Sequence, residues 1–149
     1  MIDHIWTVAC AHAVIDQTTN ILSLQDVLEQ VTIRSAPRPN GVLNIAMNVV
    51  TLWARADSAT VCRGTTRLTF CSPSGTVFSS PEVKIDLSNS ARHRHIWTVH
   101  GLHVSEAGTH TFRIELQNEG ETEWRQVAAI PLEVIFAPQP TEQPLAQSQ

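Results

Sequence analysis

One pentapeptide occurs twice in this chain, and it constrains the fold more than any other feature. His-Ile-Trp-Thr-Val spans residues 4–8 and again residues 95–99, and another histidine follows each copy, at His12 and His103. β-branched and aromatic side chains favour pleated strands. The repeat therefore predicts two strands of the same character towards opposite ends of one small domain. Because the similarity ends outside the pentapeptide, we interpret it as convergent strand composition and not as a duplicated half-domain.

Short runs of strand-forming residues continue along the rest of the chain, and no long segment has a helical period. In residues 109–117, Phe112, Ile114 and Leu116 alternate with polar residues, which predicts one dry and one solvated face. Residues 44–55 are apolar on both faces, as is typical of a central strand. We predict an all-β fold, a single antiparallel β-sandwich of about seven to eight strands that is immunoglobulin-like in general architecture.

Residues 23–33 allow two interpretations. Ser23-Leu24-Gln25-Asp26 resembles a capping box, which would begin a helical turn. The β-branched residues at 31–33 are poor helix formers, so we favour one strand through residues 27–33.

The domain is expected to span residues 1–136 of the 149 residues. Pro131 lies in the last strand, residues 124–136, and its missing N–H indicates an exposed sheet edge or a bulge. Residues 137–149 are rich in Pro and Gln and bury too little apolar area to offset the cost of ordering, so we expect a disordered tail.

Charge and composition narrow the classes of partner. The net charge of -4 gives the chain no overall attraction to phosphate backbones, so nucleic acid is not an expected partner. A secretion signal and an apolar run long enough to span a membrane are both missing from the sequence, so we expect a cytoplasmic protein that does not bind membranes. Three cysteines without a Cys-x-x-Cys pair are expected to be reduced.

Several segments together resemble a family of small bacterial β-sandwich domains of unknown function. The resemblance spans nearly all of residues 5–136 and implies the fold alone, because that family has no assigned reaction. It depends on an opening strand with a hairpin (6–24), a proline-containing loop (37–41), a long apolar strand (43–54), the turn Pro73-Ser74-Gly75, and residues 99–112.

The segment before Phe112 is similar to the strand entry of immunoglobulin-like sandwiches. Glu106 and Gly108 precede His110 and Phe112, and His110 occupies the position of the tyrosine that makes the corner hydrogen bond in those domains. The chain contains no tyrosine. The corner bond would therefore have to come from an imidazole or be absent, and this departure leaves immunoglobulin topology open.

A histidine cluster suggests one possible chemistry. On a strand, His93 and His95 point to the same face about 7 Å apart, a spacing used for paired metal ligands. With His103 as third ligand they would form a zinc site in a metal-binding protein or metal-dependent hydrolase. The competing interpretation is an exposed basic run with Arg92 and Arg94. Other candidates for completing the metal site are His4, His12, Asp86 and Glu106.

A second alternative is a carbohydrate-binding module that stacks sugar rings on tryptophan. Each of Trp6, Trp53, Trp97 and Trp124 lies in or beside an apolar strand, and tryptophan in such a context usually belongs to the core.

The function that we favour from the sequence is a non-catalytic protein-binding or assembly module without a cofactor. No nucleophile elbow or phosphate-binding loop is present in the sequence. Contact would run through a sheet face or an exposed edge strand, to another protein or to a second copy in a homodimer. The candidate binding residues are Trp124, Arg125 and Val127 on the last strand, and a basic rim formed by Arg92, His93, Arg94 and His95.

Overall fold

The computed structural model describes residues 1–137, and these residues form two packed β-sheets. The first sheet has the order β2-β1-β4-β8, and the second has the order β3-β10-β9-β5-β6 with β7 beside β5. Residues 138–149 of the predicted tail lie outside the described residues. The strands are β1 (Ile2–Ile15), β2 (Leu22–Val27), β3 (Gln30–Ile33), β4 (Val42–Arg55), β5 (Arg63–Cys71), β6 (Val77–Ser79), β7 (Val83–Asp86), β8 (Arg92–His103), β9 (Gly108–Asn118) and β10 (Arg125–Phe136).

The period-two burial that predicted a sandwich is confirmed in the core. Phe112, Ile114 and Leu116 of β9 are all 1% exposed or less. In β4, both Val49 and Val50 are fully buried although they point to opposite faces. β4 lies between β1 and β8, as predicted for a central strand.

The strand count and one pairing differ from the prediction. Residues 1–137 form ten strands instead of seven or eight, partly because residues 27–33 do not form one strand. The chain leaves the first sheet after β2, where the Leu28 N–H donates to the Ala9 carbonyl at 2.8 Å. It joins the second sheet at β3, which runs parallel to β10, so the sandwich is not purely antiparallel. The alternation of apolar and polar residues along 27–33 does not indicate that the two ends of this segment pair in different sheets.

The tip of the β1–β2 hairpin contacts the outer face of the first sheet. β1 and β2 join through residues 16–21, and the Asp16 carboxylate accepts bonds from the Thr18 and Thr19 N–H groups, as suits the predicted turn. At the tip of this hairpin, the Asn20 carbonyl accepts a bond from Arg94 Nη2 at 3.4 Å. Ile15 and Asn20 also line one cavity with Leu52 and Ile96 of the sheet. The hairpin tip therefore lies over β4 and β8.

The two pentapeptides flank β4 on opposite sides, so their strands are not neighbours. A bulge between His4 and Trp6 shifts the register of β1 by one residue. Because side chains alternate with period two, this shift turns Trp6 towards the outer face. Trp97 has no such bulge before it, faces the core and is only 7% exposed.

The repeat provides a matched pair of substitutions in one local sequence. We expect Trp97→Ala to lower the free energy of unfolding by about 3–5 kcal/mol, because it leaves a cavity in the core. Trp6→Ala should lower it by less, since the Trp6 indole stays partly in contact with water. Urea denaturation of the two variants measures both values, and an equal loss would contradict the opposite placement of the two rings.

Candidate functional site

The predicted edge strand is open over only part of its length. β10 pairs with β9 on one side, and on the other side β3 covers Glu133 to Phe136. Residues 125–132 have no strand partner on that side within the described chain. Pro131 lies in this open part, as its missing N–H requires. A register shift between Gln126 and Ala128 breaks the open part further.

The three candidate residues at the start of this strand do not form one surface, and Trp124 lies just before β10 begins. The Arg67 guanidinium lies 4.1 Å from the Trp124 ring centroid, and Arg67 Nε donates to a Glu115 carboxylate oxygen at 2.6 Å. Trp124 is therefore half-buried beside an ion pair. Arg125 is exposed, whereas Val127 packs partly against the core.

The tryptophans offer little flat surface to a sugar. Trp53 is fully buried and Trp97 nearly so, as their strand context predicted. Trp6 and Trp124 are half-buried, and Arg67 lies over the Trp124 ring.

The longest free edge belongs to β8, which pairs with β4 in regular register from Arg92 to Val99 and irregularly beyond His100. This strand has 12 residues, pairs with β4 along one side, and has no strand along its other side among residues 1–137. The Arg55 N–H donates to the Ala91 carbonyl at 3.0 Å, so these two opposed residues form a hydrogen-bonded pair of the ladder, and every second residue of β8 after Ala91 does the same. Bonded and non-bonded pairs alternate in antiparallel ladders. Hence Arg94, Ile96 and Thr98 direct their N–H and C=O groups away from β4.

The predicted basic rim is divided between two faces of β8. Arg92 and Arg94 lie opposite Ala54 and Leu52, on the outer face of the sheet. His93 and His95 lie opposite Trp53 and Thr51, whose side chains face the space between the sheets. A continuous basic surface is therefore not formed, because alternation places neighbouring residues on opposite faces.

His93 and His95 share a face, as the sequence predicted. Their ring centroids are 6.5 Å apart and the rings are nearly parallel, while the His95 ring meets Trp97 edge-on at 4.6 Å. Loss of water contact lowers the pKa of both imidazoles from their ordinary value, and the Asp86 charge partly opposes this for the pKa of His93. Desolvation likewise lowers the pKa of His4.

The three histidines of the suggested zinc site do not converge. His103 stacks on Phe78 at 4.1 Å, ten residues along β8 from His93. At about 3.3 Å per residue, this separation is roughly 33 Å. Within residues 1–137, no group of three His, Cys, Asp or Glu side chains is arranged to hold a metal ion. His12 lies exposed on the hairpin, and β4 separates His4 from the β8 histidines.

An apolar cleft of about 280 Å³ opens beside the free edge of β8. It lies between the C-terminal half of β8 and the short strand β6, and its floor is formed by core residues of the second sheet. No local sequence pattern indicates this cleft, because its formation requires two distant strands to lie at neighbouring edges. Its main apolar walls are Phe70, Phe78, Trp97, Leu102 and Phe112.

Comparison with known proteins adds little. No family model matches the chain, and no curated protein matches it. A solved structure titled "Structure of the N-terminal domain of PorA" is similar at 13% identity, covering 88% of this chain and 97% of that chain, with a TM-score of 0.29. A likeness at this level supports no statement about function. Across the described residues, no helix is long and apolar enough to cross a membrane.

The lowered pKa values of the half-buried His93 and His95 predict a loss of stability in mild acid. Because folding lowers the pKa of His93 and His95, the unfolded chain binds more protons once the pH falls below about 6.5. Their contribution is therefore full above that pH and declines as the pH falls through it. We expect the urea midpoint to drop between about pH 7.5 and 5.5.

The matched variants isolate this effect. His93→Gln with His95→Gln should flatten the pH dependence, whereas His12→Gln, at an exposed histidine, should leave it unchanged. A midpoint that rises in acid, or an unaltered profile in the double variant, would show that these imidazoles do not govern it.

Proposed function

We propose that this protein is a non-catalytic binding module that recruits an extended segment of another protein by strand addition to β8. The observation that carries the proposal is the 12-residue strand with one side unpaired within the described chain. An exposed edge presents a row of N–H and C=O groups to an incoming strand. In such complexes the main-chain bonds provide affinity, and pockets beside the edge select side chains.

Several features favour β8 over the open part of β10. Pro131 removes a donor from the β10 edge, and the break near Val127 disturbs its register. β3 already occupies the end of that edge. Bulges, prolines and coverage are the devices by which proteins protect their edges. From Arg92 to Val99, β8 pairs with β4 in regular register and contains no proline.

An immunoglobulin-like topology is part of the same proposal. It is supported by the two packed sheets and by the full burial of His110, the residue that the sequence resemblance matches to the tyrosine of those domains. Its Nδ1 lies 3.2 Å from the Gly108 carbonyl, two residues upstream. An imidazole thus makes a local bond like that of the tyrosine hydroxyl.

Thr98→Pro tests the proposed edge directly. Thr98 is exposed and its N–H points away from β4, so proline removes a free donor and no bond of the β4–β8 ladder. A library of random 12-residue peptides displayed on phage would be selected on the wild-type protein. We expect the selected peptides to bind Thr98→Pro at least tenfold more weakly, by fluorescence anisotropy.

Thr98→Ala is the matched control. It loses the Thr98 Oγ1 bond to Asn48 Oδ1, at 3.2 Å, but keeps the backbone N–H, so its affinity should stay within about threefold of wild type. Urea denaturation of both variants reports whether they are folded. Equal affinity for Thr98→Pro and Thr98→Ala, or a library that yields no binder, would refute strand addition at this edge.

A further inference from the structure

We infer that the segment bound by β8 is acidic and places one large apolar side chain in the cleft between β6 and β8, an inference that rests on the proposed function. Two independent features of the edge support it. One is the charge of β8, and the other is the position of the cleft relative to the free backbone groups.

The charge of β8 is opposite to that of the chain as a whole. The strand contains two arginines and four histidines but no acidic residue, in a chain of net charge -4. The ion pairs among the described residues are Arg63 with Asp86 and Arg67 with Glu115. Arg92 and Arg94 therefore have no carboxylate partner within residues 1–137. Charge complementarity selects partners and speeds their association more than it raises affinity.

The same charge disfavours a second copy as the occupant. Pairing two β8 strands would bring two further arginines to the interface without a single carboxylate from either strand. Like charges across neighbouring strands are destabilising. A different chain that carries Asp or Glu at this position removes that repulsion.

The cleft lies where side chains of an added strand would point. Residues opposite one another on neighbouring strands share a face, so partners of Trp97 and Val99 would face the space between the sheets. Both residues line the cleft. Its volume of about 280 Å³ leaves room for one large apolar side chain.

Antiparallel addition fixes the order and spacing of these groups. Along the partner, the residue opposite Val99 precedes the residue opposite Arg94. The apolar side chain must face the space between the sheets and the acidic side chain must face outward. Because successive side chains of a strand point to opposite faces, the two positions differ by an odd number, which is five for this pair. The expected motif is a large apolar residue followed, at an odd spacing of three to seven, by Asp or Glu.

The test uses the 12-residue phage library and its sequenced binders. We expect the enriched peptides to be net acidic and to show the odd spacing. Replacing their acidic residues by amides should weaken binding to the wild-type protein at least fivefold. The protein variant Arg92→Gln with Arg94→Gln should bind the acidic and the amide peptides equally.

The variant Phe78→Ser tests the cleft. It should weaken the binding of peptides that carry the large apolar residue more than the binding of peptides in which that residue is replaced by alanine.

Each outcome separates this inference from the proposed function. Enriched peptides that are neutral or basic, or that show even spacing, would overturn the inference, while loss of their binding in Thr98→Pro would still support strand addition. A library without binders would overturn both. A dimer in analytical ultracentrifugation that Thr98→Pro abolishes would identify a second copy as the occupant and contradict the acidic partner.

Discussion

The antiparallel pairing of β8 with the central strand β4 determines what each residue of β8 contacts. The phase set at Arg55 and Ala91 uses the backbone groups of alternate residues in the β4 ladder and leaves those of Arg94, Ile96 and Thr98 free. The same phase places His95 and Trp97 between the sheets and both arginines outside. The free edge, the half-buried imidazoles and the two arginines that have no carboxylate partner within residues 1–137 are therefore consequences of one register.

A single bulge shows that strand register determines which side chains of a sequence are buried. The two identical pentapeptides both flank β4, yet Trp6 faces outward and Trp97 faces the core. The only local difference is the extra residue in β1 between His4 and Trp6, which inverts every later side chain. Identical residues therefore have different environments, and the repeat does not mark a duplicated function.

Local patterns were sufficient for the properties that depend on one strand at a time. The alternation through Phe112 and Leu116, the burial of β4 on two faces and the shared face of His93 and His95 were all predicted, because period two is a property of any strand. Properties that depend on which strands are neighbours were not. The parallel pairing of β3 with β10, the cleft at Phe78 and the distance of His103 from His93 are set by long-range pairing, which leaves no local signal. The sequence also placed the open edge at β10, where Pro131 is visible, whereas the lack of a partner strand beside β8 among the described residues has no signature in composition.

Backbone hydrogen exchange along β8, followed residue by residue by NMR, tests the central claim most directly. If β8 is paired on one side alone, the amides of His93, His95 and Trp97 should be protected by the ladder to β4, and those of Arg94, Ile96 and Thr98 should exchange at least tenfold faster. Uniform protection along the strand, or alternation in the opposite phase, would contradict a free edge at β8.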